Sequence, residues 1–104
     1  MEIPQIQIHE AKQRLDEKTA TFVDVRDAGS YQSAHIPGAL HLSDQNVQEF
    51  VRNSDKEKPV VVYCYHGNSS LGAAAYFIES GFRNVVSMSG GFEAWRQVYA
   101  HGAE

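Results

Sequence analysis

The chain has 104 residues, 42% of them hydrophobic, and a formal net charge of −4. That length fits one compact domain of about 13 Å radius of gyration, able to bury roughly two-thirds of the surface its unfolded chain exposes. Dispersed acidic residues without a basic stripe exclude nucleic acid as a partner, and no apolar run reaches the ~18 residues that cross a bilayer. The expectation is a soluble protein with no membrane partner.

A lone cysteine, Cys64, cannot form an internal disulfide. The segment Met1-Glu2-Ile3-Pro4 lacks the charged and apolar regions of a signal peptide. Together these imply a reducing, cytoplasmic setting.

In chain order, a weak strand is expected at Gln5 to Ile8, followed by a helix whose apolar positions include Ala11 and Leu15. Thr21 to Val25 reads as a buried strand and Ala39 to Leu42 as a weaker one. Val47, Phe50 and Val51 mark one face of a helix capped by Ser43. Val60-Val61-Val62-Tyr63 is a continuous β-branched and aromatic run, predicting a central parallel strand covered on both faces. From Ser70 a helix runs apolar almost all round to Gly81, predicting burial and a left-handed stop. Asn84 to Met88 gives a last strand, and Phe92, Trp95 and Tyr99 a last amphipathic helix after Gly90-Gly91. Strand and helix alternate, so the expected fold is α/β, with a mainly parallel central sheet and helices on both faces.

Cys64 follows the central strand directly, where ligands bind in open parallel sheets. Between it and the next helix stand Tyr65, His66, Gly67, Asn68 and Ser69, a loop rich in residues that can turn their amides inward. Such amides and the positive helix end stabilise an anion, and the natural anion here is the Cys64 thiolate. A helix N-terminus lowers a thiol below its usual value of about 8.5. An isolated cysteine is often only a packing group, but packing alone requires no loop of this kind.

The segment Cys64-Tyr65-His66-Gly67-Asn68-Ser69-Ser70 resembles the active-site loop of the rhodanese family, in its small single-domain bacterial thiosulfate sulfurtransferase form. Asp24-Val25-Arg26-Asp27, Tyr31, His35-Ile36-Pro37-Gly38-Ala39 and Gly90-Gly91-Phe92-Glu93-Ala94-Trp95 resemble further family segments in the same order. The resemblance spans about residues 5 to 99 of a single domain covering 1–104. It implies that Cys64 attacks the outer sulfur of thiosulfate, releases sulfite and holds a persulfide. Cyanide or a small thiol or dithiol such as thioredoxin then removes the sulfur. Tyr65, His66, Gly67, Asn68, Ser69 and Ser70 would form the substrate-binding loop, and no metal or organic cofactor is required.

Two positions depart from the pattern. Ala34 stands where many relatives carry glycine, and Leu71 stands where a basic residue is expected, leaving Cys64 to Leu71 without Lys or Arg and weakening attraction for dianionic thiosulfate. His66 is a candidate modulator, Ser70 either a substrate contact or a helix cap, and Asp24, Arg26 and Asp27 are assigned to the scaffold. Phe92 and Trp95 are read as core. His9, His35, His41, His66 and His101 show no metal spacing. Three rivals remain. A cysteine phosphatase would need an arginine at the loop, a binding module would have lost the cysteine or the loop, and a persulfide carrier would take its sulfur from another donor. Monomer and weak homodimer are equally compatible with the sequence.

Overall fold

The computed structural model describes residues 2–102. Five strands form one all-parallel sheet in the order β1-β5-β4-β2-β3, where β1 is Gln5–Ile6, β2 Thr21–Asp24, β3 Leu40–His41, β4 Val60–Tyr63 and β5 Val85–Met88. The helices are α1 Ile8–Glu17, α2 Ala28–Ser33, α3 Val47–Asn53, α4 Ser69–Glu79 and α5 Gly91–Arg96. The predicted α/β architecture is what the chain adopts, and β4 is the middle strand, buried at all four residues.

Alternate residues of each strand face opposite sides, and the core divides accordingly. Phe22, Val61, Tyr63 and Met88 pack with Ala11, Phe92 and Trp95 on the side covered by α1 and α5. Val23, Val60, Val62 and Val85 pack with Ala74 and Phe77 on the side covered by α3 and α4. Phe92 and Trp95 are thus core residues, each contributing on the order of 2 kcal/mol by burial.

Several boundaries differ from the sequence reading. The first strand stops at Ile6, because Ile8 already begins α1. Helix α2 has no apolar periodicity to announce it; the Asp27 carboxylate specifies its start by accepting from the Ser30 amide (3.0 Å) and hydroxyl (2.7 Å). The cap position of α3 is Asn46, not Ser43. Ser43 starts the preceding turn instead, its amide donating to Asn46 Oδ1 at 2.7 Å. Helix α4 is not buried all round: Ser70, Ala74 and Phe77 face the sheet, whereas Tyr76 is 40% exposed. It stops where expected, at Gly81, whose φ is +105°.

Chain order reverses direction between β2 and β4: β3 lies on one side of this pair and β5 on the other. The crevice outside the carboxyl ends of these two strands is where an open α/β sheet binds ligands. Cys64 follows β4 there, and Asp24 and Arg26 stand at the end of β2. The Val25 amide donates to Tyr63 O at 3.1 Å, holding the two strand ends together.

Candidate active site

Cys64 is 5% exposed and sits on the floor of the loop that joins β4 to α4. Its Sγ accepts from the Gly67 amide at 3.1 Å and from the Ser70 amide at 3.2 Å, and the Ser70 hydroxyl lies 3.3 Å away. Gly67 is at φ +100°, which turns its N–H inward, and a Cβ there would come within 3.1 Å of the Gly90 nitrogen. Burial presses the thiol upward most strongly. The Ser70 hydroxyl, followed by the amides of Ser70, Gly67 and His66, outweighs that and holds the thiol below its usual value.

The loop is clamped from outside. The N-terminal amides of α5 reach back to it, Phe92 N donating to Cys64 O at 2.8 Å and Glu93 N to Tyr65 O at 2.9 Å. Gly91, at φ +61°, makes this approach feasible: a Cβ there would lie 2.5 Å from Tyr65 O and 2.6 Å from Cys64 O. These two bonds hold the start of the loop against α5, while the Gly67 and Ser70 amides further along it reach the sulfur.

The predicted loop residues divide by role. Gly67 and Ser70 place donors on the sulfur, and the His66 amide adds to them. The amides of Asn68 and Ser69 meet no protein acceptor among the described residues. Tyr65 and His66 are exposed at the mouth with their rings 5.0 Å apart. Ser70 is not the helix cap, since the cap position is Asn68 and Ser70 lies inside α4 with its hydroxyl directed at Cys64 and, at 2.7 Å, at Ser87 Oγ. Sequence reasoning missed Ser87 and the backbone role of Gly91. A serine amid Val85-Val86-Met88 and a Gly-Gly pair before a helix were the available signals.

Arg26 and Asp24 form a buried bidentate pair, Nη2 to Oδ2 at 2.7 Å and Nε to Oδ1 at 3.1 Å. Arg26 also donates to Ala34 O at 2.7 Å and lies 4.2 Å from the centre of the Phe92 ring. It therefore braces the floor beneath the loop with its charge already matched. At the mouth, Arg96 is held by Glu93 at 2.8 and 2.9 Å. Leu71 is half-buried on the first turn of α4.

Among the described residues no group of three or more His, Cys, Asp or Glu side chains could hold a metal ion. A groove of about 500 Å³ lined by Val47, Ala73, Tyr76 and Phe77 opens between α3 and α4, but no loop residue lines it. Cys64 sits apart from this groove, in the amide cradle of its own loop.

A family model described as Rhodanese-like domain matches residues 7–98. The chain belongs to the rhodanese family. It is 51% identical over 90 residues, 86% of this chain and 85% of the relative, to the thiosulfate sulfurtransferase GlpE of Pseudomonas savastanoi pv. phaseolicola. It is 41% identical over 104 residues, 100% of this chain and 99% of the relative, to the thiosulfate sulfurtransferase GlpE of Pseudoalteromonas translucida. The solution structure of the rhodanese-like domain of Anabaena sp. Alr3790 superposes with a TM-score of 0.86 at 28% identity, covering 100% of this chain and 81% of that one. The human single-domain sulfurtransferase TSTD1 shares the fold, with a TM-score of 0.84 at 18% identity over 95% of this chain and 100% of that one. The rhodanese domain thus accounts for the α/β sheet and for the position of the loop at its carboxyl edge.

Proposed function

We propose that this chain is a thiosulfate sulfurtransferase that carries sulfane sulfur on Cys64. One observation carries the reading: the Gly67 and Ser70 amides donate to a single sulfur at the end of the central strand, with the Ser70 hydroxyl 3.3 Å from it. Both GlpE relatives are named for the same reaction.

In the first half-reaction the Cys64 thiolate attacks the outer sulfur of thiosulfate. The S–S bond of thiosulfate breaks, its electron pair leaves with sulfite, and the enzyme keeps a Cys64–S–S⁻ persulfide; three negative charges stand on each side. The new terminal sulfur is anionic, and the amides of Asn68 and Ser69 are the unengaged donors available to receive it. In the second half-reaction a nucleophile attacks that sulfur and the electrons of the enzyme's S–S bond return to Cys64 as thiolate. Cyanide would leave as thiocyanate, and a dithiol such as thioredoxin would take the sulfur through its exposed thiolate. The exposed Tyr65 and His66 leave the mouth open to acceptors of either size. The charge on the Cys64 sulfur is met by the Gly67 and Ser70 amides and the Ser70 hydroxyl, and no metal is invoked. A reducing, cytoplasmic setting keeps Cys64 a thiol between cycles.

A phosphatase reading meets an obstacle in the guanidinium groups nearest the loop. Arg26 is bound to Asp24 and Ala34 O, and Arg96 to Glu93, so neither presents an open fork to a phosphoryl dianion. The test is thiocyanate production from thiosulfate and cyanide. Wild type should turn over with one sulfite released per sulfur transferred, and Cys64→Ser should be inactive with its circular dichroism unchanged. Residual turnover in that variant would remove Cys64 from the cycle.

A further inference from the structure

Ser87 is fully buried in the middle of β5, and its hydroxyl has one hydrogen-bond partner among the described residues, Ser70 Oγ at 2.7 Å. Ser70 is itself fully buried and lies between Ser87 and the Cys64 sulfur. Burying a hydroxyl is costly unless it is bonded, so a pair of buried hydroxyls ending on a nucleophilic sulfur calls for an account beyond packing.

We propose that Ser87 is a positioning residue for the Cys64 thiolate and acts through the Ser70 hydroxyl. The inference rests on Cys64 being the reactive thiolate. A hydroxyl has one proton and two acceptor lone pairs, which leaves two arrangements of the chain. With the thiol protonated, S–H donates to Ser70 Oγ, and the Ser70 proton turns to Ser87. With the sulfur ionised, Ser70 must donate to it, and Ser87 donates in turn to the Ser70 oxygen. Only the hydroxyl protons reorient, and no covalent bond changes. In the second arrangement each bond polarises the next, so the Ser87 donor strengthens the bond that Ser70 makes to the anion. Removing the Ser87 hydroxyl leaves that bond in place but weaker.

The test follows the pH midpoint of Cys64 alkylation by iodoacetamide, which needs no sulfur donor. Ser70→Ala should raise the midpoint by about one to two pH units, the worth of a hydrogen bond to a charged group. Ser87→Ala should raise it by about 0.3 to 0.5 unit, the share expected of a second bond in a chain. In the Ser70→Ala background, Ser87→Ala should add nothing. With Ser70 intact, Ser87→Thr, which keeps a hydroxyl at this position, should show the wild-type midpoint. An unchanged midpoint in Ser87→Ala, an equal shift in both backgrounds, or a Ser87→Thr midpoint matching Ser87→Ala would overturn the proposal. Because thiosulfate takes no part, failure of this relay leaves sulfur transfer standing, and failure of sulfur transfer leaves the relay standing.

Discussion

At the scale of single residues, the environment of Cys64 decides the chemistry. Its sulfur is nearly enclosed, yet donors from Ser70 and Gly67 outweigh the desolvation that favours a neutral thiol. The folded-state value therefore lies below that of the unfolded chain. A depressed acid stabilises the fold fully above the unfolded value, about 8.5, and loses that contribution as pH falls through the folded value. Urea unfolding of wild type and Cys64→Ala over a pH series should show the wild-type advantage growing as pH rises into that window; a difference independent of pH would contradict the depressed thiol. Cys64 was legible as the candidate nucleophile because strand, cysteine and loop are contiguous. Ser87 was not, since its contact with Ser70 spans 17 positions and exists only once β5 lies beside β4.

At the scale of elements, the loop owes its shape to a neighbour distant in sequence. The start of α5 binds the carbonyls of Cys64 and Tyr65, and Gly91 has no room for a side chain. Gly91→Ala adds the strain of a left-handed backbone, about 1 to 2 kcal/mol, to a close clash with the loop. It should lower the urea midpoint and reduce sulfur transfer by far more than the loss of folded protein, measured on the folded fraction; transfer that tracks folded fraction alone would remove α5 as the clamp. Continuous apolar runs bounded by polar or glycine residues made β2, β4 and α4 readable. Helix α2 was silent because a side-chain cap and tertiary position, not an apolar stripe, determine it. The edge strands β1 and β3 are two residues each, too short for alternation to mark their ends.

At the scale of the whole molecule, a buried ion pair and a net charge set the terms. Asp24 is fully buried against Arg26, so Asp24→Asn leaves a guanidinium charge unmatched beneath the site. Breaking such a pair costs about 3 kcal/mol or more, which thermal unfolding should register as a large fall in Tm; a loss within experimental error would mean that Arg26 finds another partner. The family segment carrying this pair was readable, but its bracing of Phe92 was not, because that contact joins the segment just after β2 to α5. A molecule of net charge −4 with no Lys or Arg from Cys64 to Leu71 offers dianionic thiosulfate little long-range attraction. Leu71→Lys should lower the KM for thiosulfate, most at low ionic strength where exposed charge is least screened; an unchanged KM at every salt concentration would show that the amide cradle alone governs capture.

The most direct measurement is the intact mass of the protein after incubation with thiosulfate and removal of excess donor. The mass should increase by one sulfur atom in wild type, return to its starting value on treatment with cyanide or reduced thioredoxin, and stay constant throughout in Cys64→Ser. No added sulfur on wild type, or the same addition on Cys64→Ser, would contradict a Cys64 persulfide.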